Sequence, residues 1–236
     1  MAPSGATGRQ RQPPLNEPDS QATHKRAAAR AAAELIEDGM RVGLGTGSTV
    51  AHLLPAIAER GCTGLRCVAT SPATEQAARA LGLDVRSLDE LGELEIAIDG
   101  ADQVDPAGWL VKGGGGAHTR EKVVASAARR FVVIVSSEKV VERLSAPIPL
   151  ELLGFGVEHT LATLAPARLR DVPASPDGGL IADYLGDVGD PRSLCAHLGA
   201  TPGVIDHGLF EPEMVSLVLI GGEQGVLERP GAKPQL

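Results

Sequence analysis

The chain has 236 residues, of which 43% are hydrophobic and only 2% are aromatic, and its formal net charge is -8. An acidic surface repels nucleic acid, so we expect no DNA or RNA partner. No apolar run approaches the ~20 residues of a membrane span, so we expect no membrane partner. The core must consist of Val, Leu, Ile and Ala, which suits a buried parallel sheet covered by Ala-rich helices.

The two ends of the chain indicate which segments are disordered, and the cysteines indicate the cellular compartment. Residues 1–20 are rich in Pro, Gly, Gln and Ser and are predicted to form a disordered tail, and residues 230–236 read the same way. The N-terminus has no hydrophobic signal core. Cys62, Cys67 and Cys195 form no CxxC pair, so they are interpreted as small buried residues of a protein in the reducing cytoplasm.

The segment from residue 24 to residue 137 alternates between helical and strand patterns. Pro55 lies inside one helical pattern and should bend that helix or move its start. Helices are predicted over 24–39, 48–61, 71–82 and 119–130, and strands over 41–45, 65–70, 94–99, 109–112 and 131–137. Strands that alternate with helices are typical of parallel βαβ units. The pattern therefore predicts an α/β fold, with an open, mostly parallel sheet and flanking helices.

The character of the sequence changes after about residue 147. Residues 146–156 are rich in Pro and Gly and are a hinge candidate. The order strand, helix, strand, strand, helix, strand follows, which suits a smaller α+β domain. The last apolar strand, 215–221, is expected to return to the first domain. The predicted division is a tail over 1–20, a catalytic α/β domain over 21–147 with 219–229 returning to it, and a small α+β domain over 148–218.

The first of three stretches that can carry chemistry is GLGTGST, residues 43–49. Ligands of an open α/β sheet bind beyond the carboxyl ends of its strands, and a helix N-terminus offers free N–H groups to an anion. The stretch matches neither GxGxxG nor a P-loop, so it favours a phosphate smaller than a dinucleotide or NTP, bound by Thr46, Gly47, Ser48 and Thr49. The alternative is a simple βα turn with an N-cap serine.

The second stretch is AIDGAD, residues 97–102. Asp99 and Asp102 follow a strand, and the small residues Gly100 and Ala101 allow both carboxylates to face one cavity. Paired carboxylates can carry protons because like charges push their pKa values apart. Metal binding is a second use, although no His or Cys stands nearby in the chain to complete a ligand set. The third possibility for this stretch is an Asx-turn.

The third stretch, KGGGGAHTREK, joins a strand to a helix over residues 112–122. Its glycines permit close approach of the backbone to a ligand, and their N–H groups can form an anion-binding concavity. Lys112 adds positive charge for a phosphate or an oxyanion, while Glu121 falls near the first turn of the helix. A flexible surface linker is the alternative. Together, the three stretches predict proton transfer on a small phosphorylated carbonyl compound, with no metal and no cofactor.

GLGTGST, DGAD and KGGGGAHTREK, in this order and spacing, resemble the type A ribose-5-phosphate isomerase family. Further matches are SSEKVVERL, PDGGLIAD, TPGVIDHGLF and LIGGEQGV, and the similarity covers residues 22–229. The resemblance implies an α/β domain with a ferredoxin-like smaller domain. It also implies interconversion of ribose 5-phosphate and ribulose 5-phosphate through an enediolate, in the non-oxidative branch of the pentose phosphate pathway. Homodimers and homotetramers are common in the family.

The resemblance also assigns roles to residues. It implies that Glu121 is the base that moves a proton between C2 and C1, that Asp99 handles hydroxyl protons and ring opening, and that Lys112 stabilises the oxyanion. The implied substrate-binding residues are Lys25, Thr46, Gly47, Ser48, Thr49, Asp99, Gly100, Ala101, Asp102, Lys112, Gly113, Gly114, Gly115 and Lys139.

The sequence departs from the family pattern at a few positions, and it offers little support for other functions. Gln103, His118 and Gly154 stand where the family commonly has other residues, which bears on substrate positioning. His118 neighbours the inferred base and is interpreted as a neutral, solvated side chain, with tuning of the pH profile as the alternative. A non-catalytic sugar-phosphate sensor is the alternative function, but it needs a basic helix-turn-helix that the acidic chain does not offer. Amino-sugar phosphate isomerases, deaminases and CoA-transferases carry other motifs.

Overall fold

The structure is a computed structural model that describes residues 17–233. The predictions for residues 1–16 and 234–236 lie outside the described residues. The helices are α1 (Glu17–Ala33), α2 (Val50–Arg60), α3 (Pro72–Ala80), α4 (Leu88–Leu91), α5 (His118–Ala127), α6 (Val157–Thr163) and α7 (Pro191–Ala200). Within the described residues, no helix is both long and apolar enough to cross a membrane.

The strands fall into three sheets. In chain order they are β1 (Arg41–Leu44), β2 (Arg66–Ala69), β3 (Leu94–Asp99), β4 (Gln103–Val104), β5 (Leu110–Val111), β6 (Ala128–Ser136), β7 (Ile148–Leu152), β8 (Ala167–Leu169), β9 (Leu180–Tyr184), β10 (Val204–His207), β11 (Leu209–Phe210), β12 (Leu217–Gly222) and β13 (Gly225–Pro230).

The large sheet has the order β13-β12-β6-β3-β1-β2, and every pair in it is parallel except β12 with β13. On one face, α1 and α2 bury an Ala-rich surface that includes Ala28, Ala29 and Ala32. On the other, Phe131 and Phe210 pack with residues of α5. Both faces are therefore covered, as the composition predicts, and the mostly parallel α/β sheet with flanking helices is confirmed.

The small sheet has the antiparallel order β10-β7-β9-β8 and carries α6 and α7. Its chain order is β7-α6-β8-β9-α7-β10, which is the ferredoxin-like arrangement. The predicted smaller ferredoxin-like fold is thus confirmed. A third sheet, β11-β5-β4, joins the two parts, because β11 follows the small sheet and pairs with β5 of the first part. The predicted domain limits at 147 and 218 stay predictions.

The pairing of β12 with β6 explains how the last strands return to the large sheet. Leu217 of β12 pairs with Val132 of β6, so β12 lies between β6 and β13 in the large sheet. The chain therefore leaves the large sheet after β6, builds the small sheet, and then comes back to the strand that it left.

Several predicted elements differ from the structure. The hinge candidate over 146–156 contains β7, because Ile148, Leu150 and Leu152 recur at the strand period and are fully buried. The prolines at 147 and 149 obscured this pattern. The first helix begins at Glu17, inside the segment predicted to be disordered, and ends at Ala33 rather than Gly39.

The ends of the other helices also differ. The helix predicted over 119–130 ends at Ala127, because Ala128 already pairs with Leu94 in the large sheet. Helix α2 runs through Pro55 without a break, and its N-cap is Thr49, not Ser48.

Candidate active site

A cavity of about 560 Å³ lies where β1, β3 and β6 end and where the loop after β5 begins. This is the edge at which an open α/β sheet binds its ligands. The residues that line it are Lys25, Thr46, Gly47, Ser48, Thr49, Gly100, Ala101, Asp102, Lys112, Gly113, Gly114, Gly115, Glu121 and Lys139. The structure therefore brings together side chains and backbone from five separate segments of the chain.

The loop between β1 and α2 forms one wall of the cavity. A Cβ atom on Gly45 would lie 1.9 Å from Asp99 Oδ1, so only glycine lets the loop pass this close to β3. Asp99 Oδ1 in turn accepts the Thr46 N–H at 3.0 Å. The N–H groups of Gly47, Ser48 and Thr49 donate to no acceptor within residues 17–233, and they stand at the N-terminal end of α2. The wall can therefore bind an anion.

Two threonines that the sequence analysis did not single out support this wall. Thr46 Oγ1 lies 2.8 Å from Thr70 Oγ1 and 3.3 Å from Thr74 Oγ1, and Thr74 Oγ1 donates to the Gly45 carbonyl at 2.9 Å. Ser71 caps α3 by accepting the Thr74 N–H, as its position before Pro72 predicts. A strand end followed by a capped helix was the available signal for Thr70 and Thr74.

Lys25 and Lys139 add positive charge to the same cavity. Lys25 lies on α1 and Lys139 lies in the 3-10 helix Ser137–Lys139 that follows β6, and both side chains are half-buried. With the wall between β1 and α2, they form what we call the anion cradle: Lys25, Thr46–Thr49 and Lys139. Two cations and a helix N-terminus are a suitable set for a phosphate group.

Three buried ionisable groups form the other end of the cavity, which we call the acid–base end. Lys112 Nζ lies 2.9 Å from Asp99 Oδ2 and 3.1 Å from Glu121 Oε2. The exposed fractions of Lys112, Asp99 and Glu121 are 2%, 3% and 5%. The structure thus places one cation between two carboxylates, so the group carries an excess of one negative charge when all three are ionised.

The contacts of these groups are unequal. The lysine ammonium donates to the Gly100 carbonyl at 2.5 Å. Asp99 Oδ2 and Glu121 Oε2 are within ion-pair distance of Nζ, and no other group within the described residues donates a hydrogen bond to them. Asp99 also accepts the N–H groups of Thr46 and Gly100, which favour its ionised form.

Burial raises the pKa of Glu121 to about 8; the negative charge of Asp99 adds to this effect and Lys112 opposes it. Burial raises the pKa of Asp99 too, against Lys112 and its N–H donors. Burial by itself lowers the pKa of Lys112, but the two carboxylates outweigh it and the net shift is upward. Asp99 and Glu121 therefore titrate as a pair around one ammonium group, and the raised pKa of Glu121 suits a general base near neutral pH.

The glycine loop, residues 113–116, closes the cavity between the two ends. The Gly116 N–H donates to the Gly113 carbonyl at 3.0 Å, which makes the loop a tight turn. Gly113 has a φ of 101°, and a Cβ atom there would lie 2.6 Å from His118 Nδ1, so glycine is required. Asp102 Oδ2 accepts the Gly114 N–H at 2.8 Å. Asp102 thus holds this loop as well as lining the cavity.

His118 and Asp99 do not lie where the sequence suggested. His118 was predicted to be solvated, but it is fully buried beneath Gly113, because α5 begins there and turns its first side chain inward. Burial lowers the pKa of His118 to about 4, so it is neutral. Asp99 was predicted to face the cavity, but it is not among the lining residues and lies behind Lys112. His207 is also buried.

The motifs of this site and the fold agree with comparisons to known proteins. The family model for ribose 5-phosphate isomerase A (phosphoriboisomerase A) matches residues 66–225. The ribose-5-phosphate isomerase A of Caulobacter vibrioides is 44% identical over 218 residues, which are 86% of this chain and 96% of the relative. The chain therefore belongs to the ribose 5-phosphate isomerase A family.

Solved structures give the same result for the fold. The ribose 5-phosphate isomerase A of Neisseria gonorrhoeae superposes with a TM-score of 0.85 at 31% identity, over 89% of this chain and 97% of its own. A D-ribose-5-phosphate isomerase in complex with phospho-erythronic acid has a TM-score of 0.83 at 33% identity, over 88% and 97% of the two chains. The fold class inferred from the motifs is thus that of solved family members.

Proposed function

We propose that this protein interconverts D-ribose 5-phosphate and D-ribulose 5-phosphate through an enediolate intermediate. The observation that carries the proposal is Glu121, a buried carboxylate with a pKa near 8 that lines the cavity 3.1 Å from the Lys112 ammonium. An aldose and a ketose differ by a proton at C2 or C1 and by the position of the carbonyl group. A base and a fixed cation are therefore the two groups that the reaction needs.

In the proposed mechanism, the anion cradle binds the phosphate and the sugar reaches the acid–base end. Glu121 removes the proton from C2 of the open-chain aldose, and the electron pair of that bond forms the C1–C2 double bond while the carbonyl oxygen becomes an oxyanion. Lys112 stabilises this negative charge. Glu121 then returns the proton to C1, the C2 hydroxyl loses its proton, and the ketose carbonyl forms. The O1 oxyanion takes up the proton that the C2 hydroxyl loses, so the ketose carries a hydroxyl group at C1 and no net proton is gained or lost.

The two aspartates have supporting roles in this mechanism. Asp99 keeps Lys112 charged and oriented through the 2.9 Å ion pair and binds the Thr46 N–H, so it joins both ends of the cavity. Asp102 holds the glycine loop through Gly114. Handling of hydroxyl protons and ring opening by Asp99 remains a proposal from the family resemblance, and contact of Asp102 with the substrate does too.

Phospho-erythronic acid, which is bound in a solved D-ribose-5-phosphate isomerase, is expected to bind here as well. Its carboxylate carries two oxygens on one carbon and resembles the charge distribution of the enediolate. A transition-state-like ligand should bind more tightly than the substrate. It therefore serves as a probe of the acid–base end.

We further propose that the reaction belongs to the non-oxidative branch of the pentose phosphate pathway and takes place in the cytoplasm. A homodimer or homotetramer, as is common in the family, completes the proposal, and light scattering coupled to size-exclusion chromatography tests it. Nothing in the described part of the chain favours the sensor alternative, which would need binding without turnover.

The proposal is tested by incubating the protein with ribose 5-phosphate in EDTA and following ketose formation by absorbance, with Glu121→Gln in parallel. We expect turnover in EDTA, and a loss of about 10²–10⁴-fold in the variant with substrate binding largely retained. Binding of the sugar phosphate by calorimetry without turnover of the wild type would support the sensor instead. A variant with near-normal turnover would remove Glu121 from the mechanism.

A further inference from the structure

Arg170 reaches the glycine loop from the small sheet. It directly follows β8 and does not line the cavity. Its Nη1 donates to the Gly113 and Gly114 carbonyls, both at 3.0 Å. Its Nε and Nη2 donate to the two carboxylate oxygens of Asp183 on β9, at 2.9 Å and 2.6 Å. One guanidinium therefore connects a carboxylate of the small sheet with two successive carbonyls of a loop that closes the cavity.

The direction of these carbonyls determines the direction of the neighbouring N–H groups. In a trans peptide, the C=O of one residue and the N–H of the next point in opposite directions from a rigid plane. Because Arg170 binds the Gly113 carbonyl, the Gly114 N–H points to the opposite side of the loop, where it meets Asp102 at 2.8 Å. Because Arg170 also binds the Gly114 carbonyl, the Gly115 N–H points away from Arg170 in the same manner.

The two sides of the loop differ. Asp102, Lys112 and Glu121 lie on the cavity side, whereas Arg170 lies on the other side, with residues 172–176 and Ile181. Glycine peptides have the widest choice of conformations, so without an external contact the four-glycine segment would sample many peptide orientations. The contact with Arg170 selects one of them.

We propose that Arg170 is a positioning residue for the isomerisation: by binding two carbonyls of the glycine loop, it directs the Gly114 and Gly115 N–H groups to the cavity side, next to Lys112. This inference rests on the proposed function. The N–H of Gly115 then adds to the electrostatic stabilisation of the oxyanion, and Asp102 is held by Gly114. Arg170 itself does not touch the substrate.

Arg170 and Asp183 are both needed for these contacts with the glycine loop. The guanidinium is planar and presents donors on two sides, so it can bind a carboxylate with one edge and carbonyls with another. Lysine carries the same charge but cannot form both sets of contacts at fixed angles. Asp183 is half-buried beside Arg170 and fixes the plane of the guanidinium through two parallel hydrogen bonds.

The test compares Arg170→Lys with Arg168→Lys, because Arg168 is an exposed arginine on β8, two residues before Arg170. Three properties are measured for each variant: the kinetics with ribose 5-phosphate (kcat and KM), inhibition by phospho-erythronic acid, and inhibition by inorganic phosphate. The thermal midpoint of unfolding is recorded alongside them. For Arg170→Lys we expect kcat to fall about 10–100-fold and phospho-erythronic acid to bind more weakly by a similar factor. Inhibition by phosphate should change less than twofold, since the loop does not form the anion cradle.

Arg168→Lys should match the wild type in all three properties. The proposal is overturned if Arg170→Lys keeps kcat within twofold of the wild type. It is also overturned if phosphate inhibition weakens and the thermal midpoint of unfolding falls in the same variant. The residue would then serve only the stability of the fold.

Asp183→Asn is the second variant, for the case that Arg170→Lys does not fold. It keeps the guanidinium but weakens its orientation, so we expect the same pattern with a smaller loss of kcat. Unchanged kcat in a folded Asp183→Asn, with Arg170→Lys unfolded, would overturn the proposal. If the wild type itself does not isomerise ribose 5-phosphate, the proposed function fails, while binding of phospho-erythronic acid to the variants still tests Arg170.

Discussion

The two ends of the cavity differ in burial and in how their charges are balanced. At the acid–base end, Asp99, Lys112 and Glu121 are almost fully buried, and both carboxylates lie within ion-pair distance of the Lys112 ammonium. At the anion cradle, Lys25 and Lys139 are half-buried, and Ser48 is exposed. One end is therefore shielded from water, while the other remains open to it.

The difference follows from what each end does in the proposed reaction. A phosphate keeps its charge throughout, so fixed cations and N–H groups in contact with water are sufficient for it. The acid–base end must gain and lose a proton, and burial is what moves the pKa of Glu121 to about 8. Changes at the buried end should therefore alter kcat and stability, whereas changes at the open end should alter KM.

The largest effect is expected for Lys112→Met. This change leaves two buried carboxylates without their cation, and breaking a buried ion pair costs about 3–5 kcal/mol. We expect no measurable turnover and a lower free energy of unfolding by denaturant. The loss of stability should be larger at pH 8 than at pH 5, because the free energy needed to protonate a carboxylate on folding grows as the pH rises above its unfolded-state pKa of about 4.

A matched control for Lys112→Met is Arg129→Met, which removes an exposed ion pair with Glu93. Its denaturation midpoint and its kcat should both equal those of the wild type, because exposed pairs contribute little. A Lys112→Met variant as stable as this control at pH 8 would contradict the burial of an ionised triad.

The next effect concerns pH. Glu121 acts as a base only when ionised, so kcat/KM should rise as the pH increases through about 8. The negative charge of Asp99 raises the pKa of Glu121, so Asp99→Asn should move this rise to lower pH by at least about one unit, in addition to lowering the rate. A rise at an unchanged pH would show that the two carboxylates are not coupled. Asp84→Asn, in an exposed pair with Arg86, is the control.

The smallest effect is expected at the anion cradle. Lys25→Met and Lys139→Met should each raise KM about tenfold, because a hydrogen bond to a charged group in contact with water contributes about 1–2 kcal/mol. The value of kcat should stay within about twofold. Arg26→Met, an exposed neighbour of Lys25 on α1, should leave KM unchanged. Equal losses of kcat and KM would mean that the cradle also participates in the chemical step.

Most of the cavity could be predicted from the sequence because its residues follow strands or begin helices. Asp99 ends β3, and Glu121 lies in the first turn of α5. Carboxyl ends of parallel strands meet at one edge, so residues at these positions converge whatever the details of packing. The short strand β4 was not predicted, since two residues are too few to show a period, and β10 and β11 were predicted as one strand over 203–210.

What could not be predicted depends on contacts between distant segments. Arg170 meets Gly113 only because the small sheet packs against the glycine loop, and no local pattern indicates that contact. His118 stands in a polar stretch of sequence, yet the turn at Gly113 covers it. Asp99 does not line the cavity, whereas Lys112, whose ammonium contacts it, does. Docking geometry decides these points, and a sequence pattern does not contain it.

The path of the chain through the large sheet has a consequence for the small sheet. Because β12 pairs with β6, the segment that holds the small sheet leaves the large sheet at one strand and re-enters it at the neighbouring strand. It is tethered at both ends, and a second tether raises the effective concentration of one surface near another without any new contact. Arg170 can therefore stay next to the glycine loop through a few hydrogen bonds, where a domain on a single linker would need an extensive interface to do the same.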